Sequence, residues 1–313
     1  MERIDLDGAW TLRFGRQRKR TTRMETPEIP AEWKQVPARV PGNVELDLIR
    51  AELLPEELAR GNNIYRLLEL EKNQWWYSRT FEVPEQVSTE RCEMVLEGVD
   101  TLATVWLNEE KIGTLENMLI PHRLDVTGLL RPGENSLVIG IDSTVLAARE
   151  RPVEPGEWAM ENNWDSLSIR KAAHGFGWDI MPRAVSAGLW RDVYLEVVPE
   201  TRFRSVYLAT LSVVPAKRSA RVVVRWDLAT GQWPIDSWSV RLTIASRADR
   251  AVVCEKRFPV MSSHGHAQVD LEGIDLWWPR GYGGAALYDV RLDLIDEKER
   301  LRAEWRELHG FRT

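Results

Sequence analysis

Helical periodicity is nearly missing from these 313 residues, and that constrains the fold more than any other feature. Segments such as WWYSRTFEV, CEMVLEG, TLATVWLN, NSLVIGID and WRDVYLEVV alternate or run apolar over short stretches. Turn formers separate them, among them Asn108, Gly113, Pro132-Gly133 and Gly188. The best helical candidate is VELDLIRAELL (44–54), where Leu46, Ile49, Leu53 and Leu54 fall near one face. After Pro199 the tempo changes. Seven strand-like segments, from SVYLATLSVV to RAEWRELHG, then recur within about 110 residues at the spacing of an antiparallel sandwich.

A chain of this length exceeds the usual single domain, so two β domains are the first expectation and one large β domain the alternative. The change near Pro199 divides the sequence into 1–200 and 201–313, the second having the size of an immunoglobulin-like domain without its cysteine spacing. No apolar run approaches the ~20 residues that cross a bilayer, so no membrane partner is expected. A net charge of −6 argues against nucleic acid, whose phosphates call for a basic field. The basic run RFGRQRKRTTR (13–23) reads as a solvated loop at a strand end. The opening Met1-Glu2-Arg3-Ile4-Asp5 has neither the basic start nor the apolar stretch of a secretory signal, which makes the cytoplasm the expected location. Cys92 and Cys254 lie in apolar, strand-like settings and read as buried thiols.

The sequence contains no Walker loop, G-x-S-x-G elbow or dinucleotide fingerprint, and no cofactor is expected. His264 and His266 would share one face of a strand, but no third ligand follows at suitable spacing, so they read as a surface strand end and not as a metal site. Glu157, Glu161, Asp165 and Asp179 crowd a loop-rich stretch (150–183) and read as solvated charge rather than a catalytic pair. Tryptophan is the unusual residue, with 15 copies. Trp76, Trp106 and Trp190, among apolar neighbours, are expected to be structural. Trp277 and Trp278 precede a Pro-Arg-Gly turn and are expected to pack where the second domain meets its neighbour. FGWDIMPR (176–183) differs, for it sets Trp178 and Asp179 between Gly177 and Pro182, with Arg183 directly after the proline. Sugar rings stack C–H faces on indole while their hydroxyls bond charged and amide groups, so Trp beside Asp is suited to a saccharide contact.

Four stretches together resemble the non-catalytic front part of glycoside hydrolase family 2, most closely its β-mannosidase-like members. They are NQWWYSRTFEVP (73–84), the run LEGVDTLATVWLNEEKIG and onward to IDS (96–143), KAAHGFGWDIMPRAVSAGLWRDVYLE (171–196) and DLWWPRGYGGAALYDVRLDL (275–294), in the family's order. The resemblance implies an all-β chain, a jelly-roll sandwich of galactose-binding type followed by an immunoglobulin-like sandwich. The closing GFRT (310–313) is similar to the family's junction with a catalytic barrel, which is therefore an implied partner C-terminal to this chain, together with the terminal β-linked sugar of a substrate.

Retaining hydrolysis needs two carboxyl groups ~5–5.5 Å apart, and in the family both come from the barrel, so the resemblance implies no catalytic residue here. It implies instead a pocket wall: Asp179 accepting hydrogen bonds from sugar hydroxyls, Trp178 beside it, and Arg183 as a further substrate contact. A structural reading of the same residues stays open, with Asp179 bonded to Arg183 or to loop amides. Mannosidase-like sequences continue this motif as WDWGP, whereas Ile180 and Met181 stand here, so the pocket's shape is expected to differ. An autonomous carbohydrate-binding module and a purely structural interaction domain are the alternatives from other classes.

Overall fold

The computed structural model describes residues 3–159 and 163–312; Glu161, named among the loop carboxylates, lies outside them, as do Met1, Glu2 and Thr313. The chain divides into two compact units, Met1–Val198 and Pro199–Thr313.

The first unit is built from β1 (Arg3–Asp5), β2 (Gly8–Arg16), β3 (Lys34–Val40), β4 (Asn73–Val83), β5 (Cys92–Leu96), β6 (Val99–Asp100), β7 (Ala103–Leu107), β8 (Glu110–Leu115), β9 (His122–Asp125), β10 (Gly133–Ile141), β11 (Gly188–Leu189) and β12 (Val193–Val197). Six strands form a sheet in the order β3-β2-β4-β10-β7-β8, four form β1-β12-β5-β9, and β11 pairs with β6. The result is an antiparallel sandwich of the jelly-roll kind. Its centre is β4, whose two-residue period sends Trp75 and Tyr77 into the main core beside Leu12, Ile139, Leu96 and Val193, and Trp76 to the opposite face.

That opposite face is covered, which corrects the reading of 13–23 as a solvated loop. Beyond β2 the chain crosses the outside of the six-stranded sheet. Thr21 is fully buried, with its N–H (3.1 Å) and Oγ1 (3.0 Å) donating to Asp142, and Gln74 Nε2 donates to Lys19 O (2.9 Å). Trp106 stacks on Trp76 (centroids 5.3 Å apart) and donates through Nε1 to Glu25 O (2.9 Å), while Met24 closes the cluster. Two indoles on an outer sheet face would be costly in water, so the strap is a lid on apolar surface, with Arg18 and Arg23 exposed on its outer side.

Short helices fill the connections: α1 (Val44–Arg50), α2 (Glu85–Ser88) and α3 (Thr144–Arg149). The helix expected over 44–54 stops after two turns, and only half of its expected face turns inward: Leu54 is buried and Ile49 packs against the core. Leu46 and Leu53 are exposed, whereas Val44, Glu45, Asp47 and Leu48 are buried. The acids are stabilised there by specific partners, since Asp47 accepts from Arg39 N–H (3.0 Å) and Arg50 (2.8 Å), and Glu45 accepts from Ser186 Oγ (2.6 Å). Trp190 falls between β11 and β12, its indole lying over Gly98, where a Cβ would meet the ring at 2.6 Å, and under the Arg191 guanidinium.

The second unit contains β13 (Arg202–Val214), β14 (Ser219–Ala229), β15 (Ser239–Ser246), β16 (Val252–Pro259), β17 (His264–Leu271), β18 (Tyr288–Ile295) and β19 (Leu301–His309). They form two antiparallel sheets, β13-β14-β17 and β16-β15-β18-β19, an immunoglobulin-like sandwich. Val222, Val224 and Trp226 from the first meet Val240, Leu242, Ile244, Val290 and Leu292 from the second. Phe311 of the closing GFRT is buried in this core, and its carbonyl accepts from Trp277 N–H (2.9 Å). Cys92 and Cys254 are buried free thiols in the two separate cores. His264 approaches Asp227 at 3.3 Å, and among the described residues no group of three or more His, Cys, Asp or Glu could hold a metal. No described helix is long and apolar enough to cross a membrane.

Candidate functional site

The segment 171–188 leaves the first sandwich and returns to it, and its stem and tip are built differently. At its entry the 3-10 turn Ala173–Phe176 buries Phe176 (1% exposed) and ends at Gly177, whose φ of +98° lies in the region that L side chains avoid. The chain then closes a four-residue tip, Trp178-Asp179-Ile180-Met181, by two mutual bonds: Trp178 N–H to Met181 O (3.0 Å) and Met181 N–H to Trp178 O (3.1 Å). Pro182 follows and ends the pairing. Trp178 and Ile180 are 56% and 80% exposed, and Asp179 is exposed with no hydrogen bond to its carboxylate among the described residues.

Below the tip, charge holds the stem. The Arg183 guanidinium grips Glu71 through Nε and Nη2 (3.1 Å from Nη2 to Oε2), donates from Nη2 to Asp165 (2.9 Å) and from Nη1 to Phe176 O (3.2 Å). Burial by itself would lower the Arg183 pKa, but the hydrogen bonds and charges of Glu71 and Asp165 outweigh it and hold it above the ordinary guanidinium value. Asn163 Nδ2 donates to Gly177 O (3.1 Å), and Ala184 N–H to Gly175 O (2.9 Å). At the base, buried Lys171 pairs with buried Asp100 and donates to Ser186 O (2.9 Å), and the Ser186 hydroxyl donates to Glu45. Burial raises the Glu45 pKa above the ordinary carboxylate range, with the Ser186 bond and the nearby Lys171 charge pulling the other way.

The structure therefore brings Trp178 and Asp179 together on an exposed tip and turns Arg183 back into the stem. The alternative in which Asp179 pairs with Arg183 does not hold, because that guanidinium is bound to Glu71 and Asp165. Its placement is that of an anchor for the loop. Of the loop carboxylates, Glu157 accepts from Glu154 N–H (3.1 Å) in its own turn, and Asp165 is a counter-ion to Arg183. Sequence reasoning missed Glu71, Asp100, Lys171 and Glu45 entirely. Glu71 is 112 positions from Arg183, and no local spacing could have joined them.

A jelly-roll sandwich that projects an exposed Trp-Asp tip, joined in sequence to an immunoglobulin-like sandwich, defines the class as an all-β pair of sandwiches. Residues 10–191, more than half of the chain, match the model of the glycosyl hydrolase 2 galactose-binding domain-like family. β-Mannosidase B of Aspergillus clavatus is 30% identical over 287 residues, which cover 90% of this chain and 33% of that protein; the Thermothelomyces thermophilus β-mannosidase B is 32% identical over 265 residues, covering 82% and 30%. The crystal structure of a β-D-mannosidase from Dictyoglomus thermophilum superposes with a TM-score of 0.80 at 28% identity, covering all of this chain and 36% of that one. A Bifidobacterium dentium β-glucuronidase, at 21% identity and a TM-score of 0.69, shares the fold. The chain belongs to glycosyl hydrolase family 2, and it corresponds to the N-terminal part of β-mannosidase-like members. It spans about a third of the length of the curated relatives it matches.

Proposed function

We propose that this chain forms one wall of the sugar pocket of a retaining exo-β-glycosidase of β-mannosidase type and supports the catalytic barrel that supplies the nucleophile and acid/base. The observation that carries this reading is the Trp178–Met181 tip, which presents an indole and a carboxylate with no hydrogen bond among the described residues, on a stem fixed by the buried Lys171–Asp100 pair and the part-buried Arg183–Glu71 pair. Within the reading, Asp179 accepts hydrogen bonds from hydroxyls of the terminal sugar and Trp178 covers a ring face. Ile180 and Met181 set the breadth of the pocket on this side. Arg183 acts through the loop, by holding the tip where the barrel's carboxylates need it. Two buried thiols suit a reducing compartment, and we place the protein in the cytoplasm.

The test uses the full-length protein and an aryl β-D-mannopyranoside. Asp179→Ala removes a charge-assisted hydrogen bond worth ~1.5–3 kcal/mol, so kcat/KM is expected to fall about tenfold to a hundredfold while the unfolding transition stays in place. Residues 1–313 alone are expected to show no turnover above background. Turnover by residues 1–313 that persists after Asp179→Ala would overturn the reading.

A further inference from the structure

An open cleft lies against the stem at Arg183. The 3-10 turn Trp164–Ser166 is tied down by Ser166 Oγ donating to Asn163 O (2.7 Å), yet the Trp164 indole is 45% exposed. Together with Glu71, Arg149, Asp165 and Arg183 it lines an open cleft of about 450 Å³, within the ~300–1,000 Å³ common for small-ligand sites.

The charges in this cleft are not equivalent. Arg183 is bound to both carboxylates, and Glu71 gives it both oxygens. Asp165 gives it Oδ2 alone, and its Oδ1 faces Arg149 Nε at 3.7 Å, beyond hydrogen-bond distance. Arg149, on α3, has a side chain 55% exposed and no hydrogen bond among the described residues. A donor fork and an acceptor oxygen thus stand side by side next to a partly exposed indole. Two adjacent hydroxyls of a pyranose answer that arrangement, one accepting from guanidinium and one donating to carboxylate, while the ring's C–H face lies on the indole.

The sign of the lining narrows the class. Two arginines and two carboxylates leave it formally neutral, so an anionic sugar, a sulfate or a phosphate would meet Asp165 without surplus cation to offset it. A purely apolar ligand would strip water from Arg149 and Asp165 and return no hydrogen bond. We propose that the Trp164–Arg149–Asp165 cleft binds a neutral pyranoside, as a subsite separate from the Trp178–Asp179 tip. The proposal rests on the saccharide reading above for its ligand class and on different side chains for its contacts.

Fluorine NMR of residues 1–313 labelled with fluorotryptophan tests it, with the Trp164 resonance assigned from Trp164→Phe. Methyl β-D-mannopyranoside and methyl β-D-glucopyranoside are titrated to about 100 mM, two decades above a millimolar Kd. The Trp164 resonance is expected to shift and saturate with at least one of them, and glycerol should not reproduce the shift. Arg149→Gln, which alters an exposed side chain, is expected to weaken binding about fivefold or more, and Asp179→Ala to leave it unchanged. A Trp164 resonance that stays still, drifts without saturating as it does with glycerol, or saturates equally in Arg149→Gln overturns the proposal. Failure of the pocket-wall reading shows elsewhere, as an Asp179→Ala full-length enzyme with undiminished kcat/KM.

Discussion

Arg183→Met removes the fork that Glu71 and Asp165 share and leaves those two carboxylates, with side chains 9% and 16% exposed, without it. A charge-assisted hydrogen bond contributes ~1.5–3 kcal/mol, and breaking a buried pair from one side costs ~3–5 kcal/mol. The Arg183 side chain is 19% exposed, so water screens part of the interaction and about 3 kcal/mol is the working figure. The loss falls on the stem of the loop, because that is what the guanidinium ties to the sandwich. Amide hydrogen exchange reads it directly. Met181 N–H, bonded to Trp178 O, and Ala184 N–H, bonded to Gly175 O, report opening of tip and stem, while Tyr77 and Ile139 in the sheet report global unfolding. A drop of about 3 kcal/mol in opening free energy accelerates exchange roughly 150-fold at the first two amides. Arg183→Lys keeps the charge and loses the fork, so it should fall between. Exchange at Met181 and Ala184 within about threefold of the parent chain, a change of under 1 kcal/mol, would refute the anchoring argument. So would equal acceleration at Tyr77 and Ile139, which would make the arginine a support of the whole sandwich.

Other substitutions separate stem, tip and core. Glu45 has a folded-state pKa raised first by burial, so the folded state holds its proton more tightly than the unfolded chain; the stability this group contributes is complete below the unfolded pKa and lost as pH rises through the folded one. Glu45→Gln, still able to accept from Ser186, is expected to raise Tm near neutral pH and to lose that gain near pH 4 in calorimetry. Asp179→Ala, at an exposed tip, is expected to change unfolding in urea by less than about 0.5 kcal/mol, and a larger loss would mean the carboxylate is structural. Trp76→Ala opens the outer cluster against Trp106 and Met24 and should cost ~3–5 kcal/mol in the same assay; a cost under 1 kcal/mol would mean the strap does not depend on the stacked indoles.

Short apolar and alternating runs made the strands legible, since they are a local property: β10 lies where its alternation places it, and β4 and β7 lie where continuous apolar runs place them. The tip was legible for a similar reason, as Gly177 and Pro182 bracket four residues that no core strand would combine. Contacts distant in sequence were not. Leu46, Ile49, Leu53 and Leu54 suggested one apolar helix face at 44–54, but Leu46 and Leu53 are exposed, and Glu45 and Asp47 are drawn inward through Ser186, Arg39 and Tyr77. The basic run at 13–23 concealed Thr21, whose burial depends on Asp142, more than a hundred positions away. Arg183 was read by its neighbours in the motif, but its ion pairs are with Glu71 and Asp165 outside it.

Those misreadings share a cause that bears on function. Unpaired, Lys171, Asp100, Glu45 and Arg183 would each be costly to place where they are, and the fold meets that cost only by bringing distant partners to the base of one loop. Specific buried charge adds little to net stability relative to well-packed hydrocarbon, so its concentration here is explained by geometry: it fixes where the tip stands. The tip gains nothing from that precision by itself, for Trp178, Ile180 and Met181 face outward on a two-bond turn. A rigid stem under an exposed aromatic and a carboxylate with no hydrogen bond among the described residues is what the proposed sugar contact requires.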